Sequence, residues 1–139
     1  MKVRLDKLLS ERGLCNRSEV NKLIRLGEVS SIHGVNLLAK QKVEAEDILF
    51  RGEPLDPEKL YILMYKPQGF VCSHDDKGQL IYELLPERFN RRRPQVASVG
   101  RLDKDTTGAL LFTDDGDLNH RLISPKHHAD KVYEVWLEK

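Results

Sequence analysis

The densest cluster of polar groups inside otherwise apolar sequence is Gly100-Arg101-Leu102-Asp103-Lys104-Asp105-Thr106-Thr107-Gly108. Strand-like runs flank it, so it reads as a loop that places functional groups at the end of a sheet. A carboxylate nucleophile must stay ionised, and Arg101, two residues before Asp103, is a cation placed to hold it so. Thr106 and Thr107 can donate hydrogen bonds to it. The same residue types also describe an ordinary turn, in which Asp, Thr and Gly serve the backbone. A second cluster, Arg88, Arg91, Arg92 and Arg93 around Phe89, suits backbone phosphates and equally suits a solvated loop. The five histidines, His33, His74, His120, His127 and His128, do not combine with Cys15 or Cys72 into the paired spacing of a zinc site, and no metal is expected.

The elements that must position these groups can be read from periodicity. Between residues 5 and 26, Leu5, Leu8, Leu9 and then Val20, Leu23, Ile24 recur at helical spacing, interrupted by Arg12-Gly13-Leu14-Cys15-Asn16. This predicts two short helices, with Gly13 ending the first, Asn16 or Ser18 capping the second and Gly27 closing it. β-type pieces around His33-Gly34 and between Val43 and Ile48 predict a small hairpin against the helix pair. The proline-bearing stretch from Gly52 to Glu58 reads as a linker. Beyond it, Leu60-Tyr61-Ile62-Leu63-Met64-Tyr65 has the uninterrupted apolar pattern of a strand buried on both faces. A strand at 70–73, a loop at 74–78, a short helix around Ile81 to Leu85 and a strand at 96–99 lead into the polar loop. Ala109-Leu110-Leu111-Phe112 predicts a second buried strand, followed by a turn at 114–117 and a helix starting at Leu118. The alternation of Lys131-Val132-Tyr133-Glu134-Val135-Trp136-Leu137 predicts a further strand, in which the sequence stops. The fold class is α+β: a small helix-pair-plus-hairpin domain at residues 1–52, a linker at 53–59, and a mixed or antiparallel sheet domain from 60 to 139.

Composition bounds the partners. In 139 residues, 40% are hydrophobic and 32% charged, near the averages of globular chains. No apolar run approaches the roughly 18 residues of a membrane helix, and the amino terminus lacks the apolar core of a secretory signal. A membrane role is not expected, and a cytoplasmic location with reduced thiols is. The net charge of +1 conceals an asymmetry: residues 1–27 carry Lys2, Arg4, Lys7, Arg12, Arg17, Lys22 and Arg25 against Asp6, Glu11 and Glu19. That excess suits a phosphate-binding surface, as it also suits a solvated helix face.

The loop at 100–108 resembles the signature loop of pseudouridine synthases, and Leu110-Leu111-Phe112-Thr113-Asp114-Asp115-Gly116 continues as in those that modify bacterial ribosomal RNA, the RsuA and RluB type. Tyr65-Lys66-Pro67-Gln68-Gly69 looks like that group's first motif, Ser124-Pro125-Lys126-His127-His128 like its linker, and Lys131-Val132-Tyr133 like its Lys-x-Tyr motif. Arg4-Leu5-Asp6 and Asn16-Arg17-Ser18 are similar to the RNA-binding domain first seen in ribosomal protein S-four. Phe70-Val71-Cys72-Ser73 followed by His74-Asp75-Asp76, with the His127-His128 pair, favours the small-subunit (16S) branch.

The resemblance implies a monomeric enzyme, without cofactor, acting on ribosomal RNA or a ribosomal subunit assembly intermediate. Asp103 would attack a uridine flipped from the stack, Tyr133 would stack on the uracil, and Arg101 would orient Asp103 or meet phosphate. Arg4, Arg17, Ser18, Lys22, Arg25, Lys66, Arg88, Arg91, Arg92 and Arg93 would contact RNA. Members of the family are longer, so the resemblance also implies a chain truncated at its carboxyl end. A non-catalytic RNA-binding module is the alternative.

Overall fold

A computed structural model describes residues 1–126 and 130–138. Strand β1 (Val3–Arg4) runs directly into helix α1 (Leu5–Glu11), whose Leu5, Leu8 and Leu9 are buried. The helix ends as its sequence predicts. Gly13, at φ +75°, donates to the Ser10 carbonyl while Leu14 donates to that of Leu9, the paired bonds of a left-handed glycine cap. A 3-10 turn (Arg17–Glu19) leads into α2 (Val20–Arg25), closed in the same way at Gly27. The expected Asn16 or Ser18 cap is absent: no side-chain oxygen caps either segment, and the Asn16 amide donates to Glu19 Oε1 at 2.9 Å instead.

Strand β2 (Val29–Ser31) ends at a turn containing His33 and Gly34, where the Ser31 hydroxyl accepts the His33 N–H. Strand β3 (Lys42–Val43) pairs with β1, whereas β4 (Ile48–Phe50) lies between β2 and β5 (Glu53–Pro54). Val20, Val29, Val43 and Ile48 join the leucines of α1 in one apolar core.

Strand β6 (Tyr61–Lys66) pairs antiparallel along its whole length with β10 (Gly108–Thr113), and β9 (Ala97–Ser98) flanks β10 on its other edge. Between them lie β7 (Phe70–Val71), which pairs parallel with β8 (Gln79–Leu80), a 3-10 turn (Ile81–Leu84) and the one-turn helix α3 (Glu87–Asn90). Helix α4 (Gly116–Ile123) follows, its first turn capped by the Asp115 carboxylate accepting from Leu118 N–H at 3.2 Å.

Two expected features differ. β6 is not buried on both faces: Ile62, Met64 and Lys66 turn inward, while Tyr61, Leu63 and Tyr65 are 56%, 75% and 73% exposed. An antiparallel sheet packed on one side has this alternation, and the apolar residues of its open face conceal it in the sequence. The expected strand at 131–137 is not formed either. The segment is exposed, and although Lys131, Val132 and Tyr133 share a hollow with Leu63, Val99 and residues 109–111 of the sheet, they do not pair with it as a strand.

The two cores, the second built on Ile81, Val96, Leu110 and Phe112, meet at an arginine seam. Arg12 Nε donates to the Asp56 carbonyl at 3.1 Å and Arg88 Nε to the Asp56 carboxylate at 2.7 Å. Arg93 N–H donates to the Glu11 carbonyl, and Gly13 lies so close to 88–92 that a Cβ would collide with the Arg88 carbonyl oxygen. Residues 53–59 are therefore tied down throughout: Pro57 and Glu58 carbonyls accept from Arg92 Nη2 at 2.7 and 2.6 Å.

Candidate active site

The register of β6 against β10 places Lys66 opposite Gly108, at the foot of the 99–107 loop. Lys66 is fully buried, and its ammonium donates to the carbonyls of Pro67 (3.1 Å), Lys104 (3.0 Å) and Thr106 (2.9 Å). A buried ammonium persists only when its donors are matched, and here three loop carbonyls match them. Lys66 is thus corrected from an RNA-contacting cation to the clamp beneath the loop.

Other groups fix the loop along its length. Tyr82 OH accepts Ser98 N–H at 2.9 Å, and Ser98 Oγ donates to the Gly100 carbonyl at 2.8 Å. Leu102 N–H points at Cys72 Sγ (3.4 Å), and Gly69 N–H donates to the Lys104 carbonyl at 2.8 Å. The side chain of Leu102 packs into the core, which turns its neighbours Arg101 and Asp103 outward. The supporting contacts of Cys72, Tyr82 and Ser98 have no counterpart in the sequence, where a cysteine, an aromatic and a serine in strand-like surroundings carry no signal of what they touch.

Asp103 is exposed at the crest of this clamped loop. Arg101 forms no ion pair with it among the described residues, so the expected local pairing is not present. Thr106 supports it through backbone, its N–H donating to the Asp103 carbonyl at 2.9 Å, rather than through a hydroxyl on the carboxylate. Asp103, Arg101, Thr106, Thr107, Tyr133 and Trp136 line one open cleft of about 560 Å³. The three residues expected to act together, Asp103, Arg101 and Tyr133, therefore share one site although Tyr133 is 30 residues away in sequence. Lys131 lines a neighbouring hollow of about 300 Å³ with Arg101 and Tyr133, its Nζ 3.0 Å from where a Cβ on Gly100 would stand.

The expected RNA contacts divide. Arg4 Nη2 and Arg17 Nη2 lie 2.8 and 3.4 Å from the nearly buried Asp6 carboxylate, yet both arginines keep about half of their side chains in solvent (41% and 50%). Their bonds, Arg4's first, hold the Asp6 carboxyl below the usual carboxylate range. Ser18, Lys22 and Arg25 are exposed. Arg92 is corrected: only 3% exposed, it pairs with Asp114 at 3.0 Å inside the seam and has no surface to offer a phosphate. Arg88, paired with Asp56, is exposed, as are Arg91 and Arg93. His127 and His128 lie outside the described residues. Among the described residues no group of three or more His, Cys, Asp or Glu is arranged to hold a metal, and no helix is long and apolar enough to cross a membrane.

The sequence profile of RNA pseudouridylate synthases matches residues 60–139, more than half of the chain. The chain belongs to this family. An S4 domain profile matches residues 3–30. The ribosomal small subunit pseudouridine synthase A of Vibrio vulnificus is 41% identical over 138 residues, covering 97% of this chain and 58% of the relative. That of Pasteurella multocida is 41% identical over 97% of this chain and 59% of its own length. The uncharacterized RNA pseudouridine synthase YtzG of Bacillus subtilis is 41% identical over 98% of this chain and 58% of its length. The chain thus spans under two thirds of the curated relatives it matches, and aligned over nearly all of itself it is a pseudouridylate synthase sequence joined to an S4 domain.

Proposed function

We propose that this chain carries the nucleophile and the RNA-docking module of an enzyme that isomerises one uridine of small-subunit (16S) ribosomal RNA to pseudouridine in the cytoplasm, acting as a monomer. The observation that supports this most is the loop at 99–107: an exposed carboxylate, Asp103, raised on a backbone fixed from below by Lys66 and facing Tyr133 across a cleft. A nucleophile works from a fixed position, and an aromatic face opposite it suits a flipped base.

In this reading residues 1–52 dock the RNA and 60–139 bear the chemistry. Asp103 attacks the target nucleotide, the N-glycosidic bond breaks, the uracil turns while held against Tyr133, and a carbon–carbon glycosidic bond forms. Closure of that bond releases the Asp103 carboxylate, the hydrogen on uracil C5 leaves to solvent and N1 takes up a proton, so substrate and product are isomers and the reaction consumes no cofactor. Arg101 stands on the same cleft to meet the nucleotide's phosphate. The small-subunit assignment is supported by two relatives that carry that name.

The test is tritium release from 5-tritiated 16S RNA by the 139-residue chain beside its Asp103→Asn variant. Release by the first and none by the second is the expected result; equal release by both overturns the assignment of Asp103. A second reading, an RNA-binding module without turnover, is favoured by the exposure of the 130–138 segment that forms one wall of the cleft. RNA retention in a gel shift with no release from either protein would select it.

A further inference from the structure

A groove of about 540 Å³ lies where the two cores meet, lined by Ser10, Cys15, Asn16 and Glu19 on one side and by Arg91 and Arg93 on the other. We infer that this seam groove seats a stretch of RNA backbone, with Arg91 and Arg93 meeting consecutive phosphates. The inference rests on the RNA-binding reading above and adds to it a surface that neither the amino-terminal module nor the synthase part possesses alone.

Four observations support it. Its size is that of clefts that hold ligands, roughly 300–1,000 Å³, but its walls are polar, which does not suit an apolar guest. The four clustered arginines are placed differently: Arg92 is buried against Asp114 and the carbonyls of Pro57 and Glu58, Arg88 is exposed but paired with Asp56 and absent from the groove lining, and Arg91 and Arg93 line the groove. Arg91 keeps an exposed partner, Glu87 at 2.6 Å, and Arg93 makes no ion pair among the described residues. Both also line a second polar hollow of about 380 Å³ with Asn90 and Gln95, so two guanidiniums stand on a ridge between two hollows. Two separate guanidiniums match successive phosphates of a chain better than one small anion, while Glu19, tethered by Asn16 in the same groove, weakens the attraction for either.

Cys15 reports occupancy of the groove directly. It is partly accessible, whereas Cys72, the other cysteine, is buried in the second core and serves as an internal control. Burial, with Glu19 beside it, pushes the Cys15 thiol up to about 11, so labelling by a maleimide at mildly alkaline pH is slow enough to time. The experiment measures that rate on the whole chain with and without a saturating structured RNA hairpin, saturation being set by gel shift. We expect RNA to slow Cys15 labelling several-fold. Arg93→Glu should weaken hairpin binding several-fold and lower the slope of log affinity against log salt by about one. Glu19→Gln should strengthen binding, a gain that misfolding cannot produce. If the hairpin binds and the Cys15 rate is unchanged, the seam groove is overturned while the RNA-binding reading stands. If no hairpin binds at all, both fall.

Discussion

Lys66 shows how far a side chain's role depends on what lies over it. Its ammonium bonds three carbonyls around the Asp103 loop, so its removal leaves buried acceptors without donors and frees the loop at the same time. Lys66→Met should cost about 3 kcal/mol, since hydrogen bonds to a charged group are each worth roughly 1.5–3 kcal/mol and some acceptors will recruit water. Urea melts would give that figure. Tritium release should fall by more than the unfolded fraction explains, and a release rate that merely tracks stability would reduce Lys66 to a structural residue. Asp6 makes a prediction in pH. Its carboxyl is held below its unfolded value, chiefly by Arg4, so the ionised form stabilises the fold above roughly pH 4 and the contribution is lost as pH falls through the lowered folded value. The stability gap between the wild type and Asp6→Asn should be constant at neutral pH and close on acidification, as read from thermal melts across that range.

At the scale of elements, Gly13 has two duties. Its φ of +75° closes α1, and its missing Cβ lets the helix end press against the 88–92 backbone. Gly13→Ala should therefore cost about 2–3 kcal/mol, the upper part of the range for a strained non-glycine residue, because left-handed strain and a collision with backbone add. Gly27→Ala meets open space at a similar φ and should cost about 1 kcal/mol, strain alone. Equal losses in calorimetry would mean that the seam yields without penalty. Both glycine caps were legible in the sequence, because a helix end asks for a left-handed residue that glycine supplies at least cost. The cap on α2 was not legible: Asn16 and Ser18 are both good capping types, and only the fold shows Asn16 turned to Glu19.

For the whole molecule, the buried Arg92–Asp114 pair fastens the 57–58 segment to the start of α4 and to the seam. Leu60 N–H also donates to Asp114, at 2.8 Å. Arg92→Ala strands a buried carboxylate and should cost about 3–5 kcal/mol, whereas Arg93→Ala, at the surface, should change stability by less than about 0.5 kcal/mol. Denaturant titration of the two variants measures the contrast. A small loss in both would place Arg92 at the surface after all.

By itself, the sequence determined the helix pair and its glycine ends, the strands around the polar loop, the Asp103 loop and the family to which it belongs. These are local matters: periodicity, turn chemistry and a contiguous motif are complete within a few residues. Tertiary structure decided the rest. Four neighbouring arginines look alike in sequence, and only packing buries Arg92 while Arg88, Arg91 and Arg93 stay exposed, the first two on carboxylate partners. A lysine at the end of an apolar run reads as a surface charge until strand register sets it under Gly108 and the loop carbonyls close on it. Asp103 and Tyr133 meet in one cleft only because the chain folds back, and proximity across 30 residues is a property of the fold.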